Sequence, residues 1–296
     1  MWKVVTFNVL HLTHEINHAL GKSPVLDKYK IGKFGDVESE ISMSDVKEKE
    51  QNRLKDLFVY IRSFCEPTAI VCLQEVSGDL LHLLVDQLPD FKVFFHTYSR
   101  VPSIKKSRRV IMDCNDIYND PKESLVTIVH NSHAQHWHSI ATVPCESDPG
   151  KACLIVSFQD TANNRITIAN AHIPFAPLER TAFIMQLVSH LNSSKMFVLT
   201  GDTNCSLTHF QTDLRDVARQ RVDTPRTGVI SHNNITFDWE LSSSLNATRR
   251  GTRSSMKLEE SCIDYFIHRG IVVSYVAAYP FTDVSDHVPV QCVFNI

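Results

Sequence analysis

Six places in the sequence join an apolar run to a side chain able to bind a metal or move a proton. Asn8 closes "KVVTFN", Glu75 follows "AIVCLQ", and His172 closes "ITIANAH". Asp202 and Asn204 follow "MFVLTG", Asp264 lies inside "SCIDYFIH", and Asp286 and His287 precede "VPVQCVF". Taken singly, Asp, Asn and Gly after a strand are ordinary turn formers. Glu75 also suits the first turn of a helix over 78–88, where a negative charge meets the positive end of the dipole. Asp264 is different, because a carboxylate within an apolar run is costly to bury without a donor, a cation or a metal. His287 is a natural partner for it: a buried carboxylate fixes the ring tautomer and favours the imidazolium.

Ligands gather in sheet proteins where strands end and loops begin, so six such termini can line one cavity. In that arrangement Glu75, with Asn8 and Asp286, offers hard oxygen ligands for Mg²⁺, with Mn²⁺ as a substitute. Asp202 would orient and deprotonate a water, and Asn204 would hold that water or a non-bridging oxygen. His172 and His287 would donate to the phosphate. The chemistry is metal-assisted hydrolysis of a phosphoester.

The elements that must position these groups read as an alternation of strands and helices. Short β-branched and aromatic runs predict strands at 3–10, 70–74, 93–96, 125–130, 139–143, 153–158, 166–172, 196–200, 262–267, 271–277 and 288–294. Helical spacing joins Leu54, Leu57, Phe58 and Ile61; Leu81, Leu84, Val85 and Leu88; Leu178, Ala182 and Met185; and Phe210, Leu214 and Val217. The pairs 125–130 with 139–143 and 153–158 with 166–172 read as antiparallel hairpins, which implies mixed sheets. Stretches 21–52, 99–123 and 242–260 are polar and read as loops. The second carries Arg108 and Arg109, and the third Arg249, Arg250 and Arg253. These arginines, with His11 just past Asn8, are the candidates for gripping substrate phosphates.

Other chemistries fit less well. His11, His14 and His18, and the cluster from His130 to His138, have no paired cysteines and lack a zinc-site pattern. No G-x-S-x-G elbow occurs, and nine glycines leave no Walker or dinucleotide fingerprint.

The segments "TFNVL", "CLQEV", "NAHIPF", "TGDTN", "IDYFI" and "SDHVPV", in that order along nearly the whole chain, resemble the endonuclease/exonuclease/phosphatase superfamily of Mg²⁺-dependent phosphodiesterases. The resemblance implies a four-layered α/β/β/α sandwich of two mixed, mostly antiparallel sheets, formed by one catalytic domain over 1–296. It places Asn8 and Glu75 at the metal with Asp286 helping, His172 and His287 on the phosphate, Asp202 and Asn204 at the nucleophile, and Asp264 behind His287. Many DNA-repair members carry an acid where this chain has Leu10, and often a tyrosine where it has His172. "FNVL" and "CLQEV" lean toward deadenylase-like 3′ RNA exonucleases, whereas "GDTN" is similar to the 5′-tyrosyl-DNA phosphodiesterase branch. A lipid phosphodiesterase and a non-catalytic interaction protein are the alternatives on this scaffold.

Composition sets the frame. With 43% hydrophobic and 21% charged residues over 296 positions, the chain has enough apolar side chains for a sizeable core. A formal charge of −3 gives no global positive field, so a nucleic acid substrate, RNA or DNA, must be gripped locally. Eight scattered cysteines without C-x-x-C read as reduced thiols. The start of the chain lacks a secretory pattern and no apolar run reaches membrane-spanning length. An intracellular protein, cytoplasmic or nuclear and without stable membrane association, is therefore expected.

Overall fold

Alternation along the strands dictates the layers. In the first strand Val4 joins one apolar cluster, while Val5 and Phe7 join another on the opposite face. Ile70 and Cys72 likewise separate from Val71 and Leu73, and Val198 from Phe197 and Leu199. A strand buried on both faces needs a neighbour on each, and so two sheets must pack together with helices outside.

A computed structural model describes residues 1–18, 23–31, 43–105, 113–134, 137–159, 164–206, 208–214, 217, 240–242, 249–251 and 259–295. In chain order these form β1 (Trp2–Asn8), α1 (Leu12–His18), α2 (Pro24–Lys28), α3 (Met43–Arg62), β2 (Ala69–Ser77), α4 (Gly78–Gln87) and β3 (Phe91–Thr97). Next come β4 (Glu123–His130), α5 (Asn131–Ala134), β5 (Trp137–Pro144), β6 (Ala152–Gln159), β7 (Arg165–His172), α6 (Pro177–Leu191) and β8 (Met196–Asp202). The chain closes with β9 (Glu240–Ser242), β10 (Arg249–Gly251), β11 (Glu259–Ser261), β12 (Asp264–Arg269), β13 (Val272–Ala278) and β14 (Val290–Asn295).

One six-stranded sheet has the order β13-β14-β1-β2-β4-β3 and the other β5-β6-β7-β8-β12-β9, with β10 and β11 as a separate ribbon. The pairs β1–β2 and β7–β8 are parallel and the rest of each sheet is antiparallel. Between the sheets lie Ile70, Leu154, Val156, Ile168, Val198 and Phe266, among others. Leu54, Leu57, Ile61, Leu80 and Leu84, from α3 and α4, cover the outer face of the first sheet. Phe183, Ile184 and Leu187 of α6, with Phe210 and Leu214, cover the second. The four-layered α/β/β/α sandwich expected from the sequence is thus formed. Among the described residues no helix is long and apolar enough to cross a membrane. Among the described residues no disulfide joins the eight cysteines, and six of them are buried.

Three local expectations are corrected. Strands β4 and β5 belong to different sheets, so 125–130 and 139–143 do not make a hairpin; the segment between them carries the chain from one sheet to the other. The 153–158 and 166–172 hairpin does form, as β6 and β7. The stretch 21–52 holds α2 and the first turns of α3, and the polar stretch 242–260 contains β10 and begins β11.

Gly201 shows how tightly β7 and β8 pair near their ends. It has φ of 138° and pairs with Ala171, and a methyl group on it would lie 1.8 Å from Ala171 O. Replacing Gly201 by Ala should therefore destabilise the fold by about 3 kcal/mol or more, through both strain and clash. Urea denaturation measures this, and a loss below ~1 kcal/mol would contradict the packing described.

Candidate active site

Parallel strands end at the same edge, and this sheet pair uses that fact twice. In the first sheet Asn8 pairs with Gln74, which puts Glu75 beside the end of β1. In the second, His172 pairs with Asp202 and Asp202 with Asp264. The two edges meet: Asn8 Nδ2 donates to Glu75 Oε1 at 3.0 Å and to Asp202 Oδ2 at 3.0 Å, so one amide links carboxylates from opposite sheets. His172 Nε2 lies 3.6 Å from Glu75 Oε1 and 3.5 Å from Asp202 Oδ2. His287 donates from Nδ1 to Asp264 Oδ2 at 2.9 Å, and its Nε2 faces Asp202 Oδ2 at 3.9 Å. The predicted strand-end residues converge.

Glu75 is not a strand end. It sits inside β2 with φ of 58°, at a bulge where the β2–β4 register shifts between Leu73 and Val76. A bulge re-aims a side chain but leaves ladder carbonyls to be satisfied. Asn170 of β7 supplies the donors from across the interface: its Nδ2 reaches Leu73 O at 3.1 Å and Val126 O at 2.8 Å, while Gln74 Nε2 donates to its Oδ1 at 2.7 Å. The backbone N–H of His11 then holds Glu75 Oε2 at 3.1 Å.

The turn after β1 is fixed from below. Leu10, with φ of 61°, donates its N–H to Asn8 Oδ1 at 2.9 Å, which fixes the amide orientation. Arg53 of α3, buried to 1% exposure, donates to Val9 O at 3.1 Å, Leu10 O at 2.8 Å and Val284 O at 2.8 Å, and it is neutralised by Glu50 at 2.6 Å. Ser285 Oγ donates to Asn8 O at 2.7 Å and accepts from His287 N at 3.1 Å, tying the segments of Asn8 and His287 together.

Charge is arranged around Asp202. Burial alone would raise its pKa, but His287, His172, Lys151 and the Asn204 N–H at 2.8 Å outweigh this and hold the carboxyl well below the usual carboxylate range. Asn204, with φ of 52°, uses its side-chain amide on Ile173 O at 3.0 Å. Burial opposes charge on His287, yet Asp264, Asp286 and Asp202 raise its pKa to about 9, so it is an imidazolium at neutral pH. His172 goes the other way: burial and Lys151 lower it to about 3. Its Nε2 lies against Lys151 Nζ and its Nδ1 faces Glu123 Oε1 at 3.8 Å. An ammonium has no lone pair, so Nε2 is the acceptor in that contact. Glu123 also binds His14 at 2.8 Å.

Besides Asn8, whose oxygen is committed to Leu10 N, and Asn204, whose side-chain amide is committed to Ile173 O, three predicted residues, Asp286, Arg249 and His11, take other places. Asp286 Oδ2 is paired with Arg249 at 3.0 Å, and Arg249, which bridges to His287 from β10, is only 8% exposed. His11 is buried, with Nε2 against Pro121 O at 3.2 Å and its pKa lowered to about 3 by burial, so it lies behind Glu75 rather than at a rim. Arg108, Arg109 and Arg253 lie outside the described residues, as does the side chain of Arg250. Sequence reading missed Lys151, Glu123, Asn170 and Arg53, and it weighed His14 only as part of a zinc cluster. Of these only Asn170 had a visible signal, as the polar residue within "TIANAH".

Asp286 also affects a neighbour. Burial, then the Asp286 charge, raises Glu15 to about 7, with Ser23, Arg249 and Arg53 offsetting part of this. A carboxyl raised above its unfolded value keeps its proton when folded. Stability should therefore fall as pH rises from ~4.5 through about 7. Replacing Glu15 by Gln should flatten that part of a Tm-against-pH profile, and an unchanged slope would contradict the assignment.

Glu75, His172 and Asp202 each offer a ligand atom, all within 4.8 Å of one another. The two carboxylates suit a small hard divalent cation, while the His172 Nε2 lone pair is taken by the Lys151 ammonium. Asn8, with its oxygen committed to Leu10 N, serves as the bracket between them.

No protein-family model and no curated protein matches the sequence. Solved structures do match in fold. TDP2 from D. rerio, in complex with a single strand DNA product, is 11% identical with a TM-score of 0.62, covering 100% of this chain and 99% of its own. TDP2 from C. elegans is 12% identical with a TM-score of 0.57, covering 99% of this chain and 74% of its own. An endonuclease/exonuclease/phosphatase from Bacteroides vulgatus is 13% identical with a TM-score of 0.57, covering 100% of this chain and 98% of its own. The chain has the fold of the endonuclease/exonuclease/phosphatase superfamily.

Proposed function

We propose that this chain is a divalent-metal-dependent phosphodiesterase that cleaves phosphoester bonds in nucleic acid by direct attack of water. The observation that carries this reading is the meeting of Glu75, His172 and Asp202 at one buried edge, with Asn8 bridging the two carboxylates. Glu75 and Asp202 would hold Mg²⁺ or Mn²⁺, which when bound withdraws charge from a phosphoryl oxygen. Asp202, ionised at neutral pH, orients the attacking water and accepts its proton. The Asn204 N–H fixes the carboxylate for that task. His287 commits Nδ1–H to Asp264 and keeps Nε2–H for charge that develops on the phosphoryl oxygens.

Single-stranded DNA is the first substrate to test, since a TDP2 of similar fold was solved with a single strand DNA product. Poly(A) RNA is the second, for the motifs shared with the deadenylase-like branch. A panel of both, with duplex DNA, a 5′-tyrosyl oligonucleotide and an inositol polyphosphate, run in Mg²⁺ and in EDTA, tests the proposal. Cleavage of an oligonucleotide in Mg²⁺ and none in EDTA is expected. Turnover of the inositol phosphate alone would overturn the nucleic acid assignment, and turnover in EDTA the metal dependence.

A further inference from the structure

We propose that Lys151 is a catalytic residue of this site, its ammonium binding a non-bridging oxygen of the substrate phosphoryl group. The inference rests on the phosphoester reading above and adds to it a residue that the strand-end motifs do not contain.

Placement comes from the turn before β6. Asp148 accepts the Lys151 N–H through its carbonyl at 3.0 Å and the Gly150 N–H through Oδ1 at 3.0 Å, and Arg100 clamps the same carboxylate at 2.9 Å. Cys145 N donates to Lys151 O at 2.9 Å. The backbone is therefore held on both sides. Because Ala152 pairs with His172, Lys151 stands one residue ahead of that ring, and its stem runs to Nε2.

The partner count shows what the ammonium is for. A lysine ammonium has three donors. Among the described residues Nζ has one hydrogen-bond partner, His172 Nε2, and no ion pair. Two donors therefore stay uncommitted beside Asp202 and Glu75, where a phosphoryl group must sit for Asp202 to direct water at it. Lys151 is felt there, since it depresses both His172 and Asp202. With its Nε2 lone pair turned to the ammonium, His172 aims Lys151 at the phosphate instead of donating to it. A cation whose donors are not used inside the fold is free to follow charge as it builds on the phosphoryl oxygens.

The test uses the whole chain with Lys151→Met and Lys151→Arg, each checked for an unchanged melting curve. Inorganic phosphate is titrated calorimetrically into the Mg²⁺-loaded proteins. Lys151→Met should bind phosphate about 10- to 100-fold more weakly, the worth of a charge-assisted hydrogen bond, and Lys151→Arg should recover part of the loss. Mn²⁺ affinity, measured separately, should not weaken in either variant. Equal phosphate affinity in wild type and Lys151→Met, or no phosphate binding by the wild type, would overturn the role. So would weakened Mn²⁺ binding that accounts for the whole phosphate effect. Failure of the wild type to cleave any oligonucleotide would instead count against the substrate assignment and leaves this comparison readable. On a substrate that is cleaved, Lys151→Met should lower kcat by a similar factor.

Discussion

Replacing Asp202 by Asn lowers kcat about a thousandfold with saturating Mg²⁺, while the protein stays folded. The substitution keeps the shape of the side chain but removes the charge that His287 and His172 face, and with it the proposed metal ligand and proposed acceptor for the water proton. The carboxylate has two oxygens in use, Oδ1 on the Asn204 N–H at 2.8 Å and Oδ2 on Asn8 Nδ2 at 3.0 Å. An amide has one oxygen, so it serves one of these donors and leaves the other, at a cost of about 1–3 kcal/mol. That lowers the melting temperature by several degrees without unfolding the chain, and the larger loss falls on catalysis and metal affinity. Single-turnover kinetics with a labelled oligonucleotide measures it, and a variant within tenfold of wild type would mean that another group handles the water.

The second large effect is on stability. Arg53 is 1% exposed and Glu50 fully buried, and the pair lies beneath the β1–α1 turn that carries Asn8. Among the described residues, Arg53→Met leaves the Glu50 carboxylate with only the Tyr118 hydroxyl at 2.9 Å, and strands the carbonyls of Val9, Leu10 and Val284. Breaking a buried pair from one side costs about 3–5 kcal/mol. Removing both charges, as Glu50→Leu with Arg53→Met, should recover part of this, because no unpaired charge then remains. Recovery should be incomplete, since the three carbonyls still lack donors. Chemical denaturation of the two variants decides the point: full recovery would mean that Arg53 does nothing for the turn.

These two sites also show what the sequence could and could not convey. Asp202 was legible because β8 is an apolar run that stops at a polar pair, and its parallel partner β7 stops the same way at His172. Arg53 was hidden by its own helix. The buried stripe of α3 runs through Val46, Glu50, Arg53, Leu57 and Ile61, so an ion pair occupies positions where hydrophobic side chains would have announced a helix. That is why 21–52 read as a loop. Glu75 looked like a strand end because no periodicity announces a non-glycine residue at φ of 58°. The bulge depends on Asn170 in the other sheet, a contact 97 positions away in sequence between Asn170 and Leu73. Lys151 sits in "SDPGK", which reads as any polar turn. The error over β4 and β5 has a similar cause: alternation identifies strands but not which sheet they join.

Every catalytic role proposed above rests on two sheet edges that bring Glu75, His172 and Asp202 together. The most direct test is a crystal of the protein soaked in Mn²⁺, with anomalous scattering collected at the manganese edge. A single strong peak among Glu75, His172 and Asp202, lost in a crystal of the Asp202→Asn variant, is the predicted result. No peak at that edge of the sheets, or one centred on other residues, would contradict it.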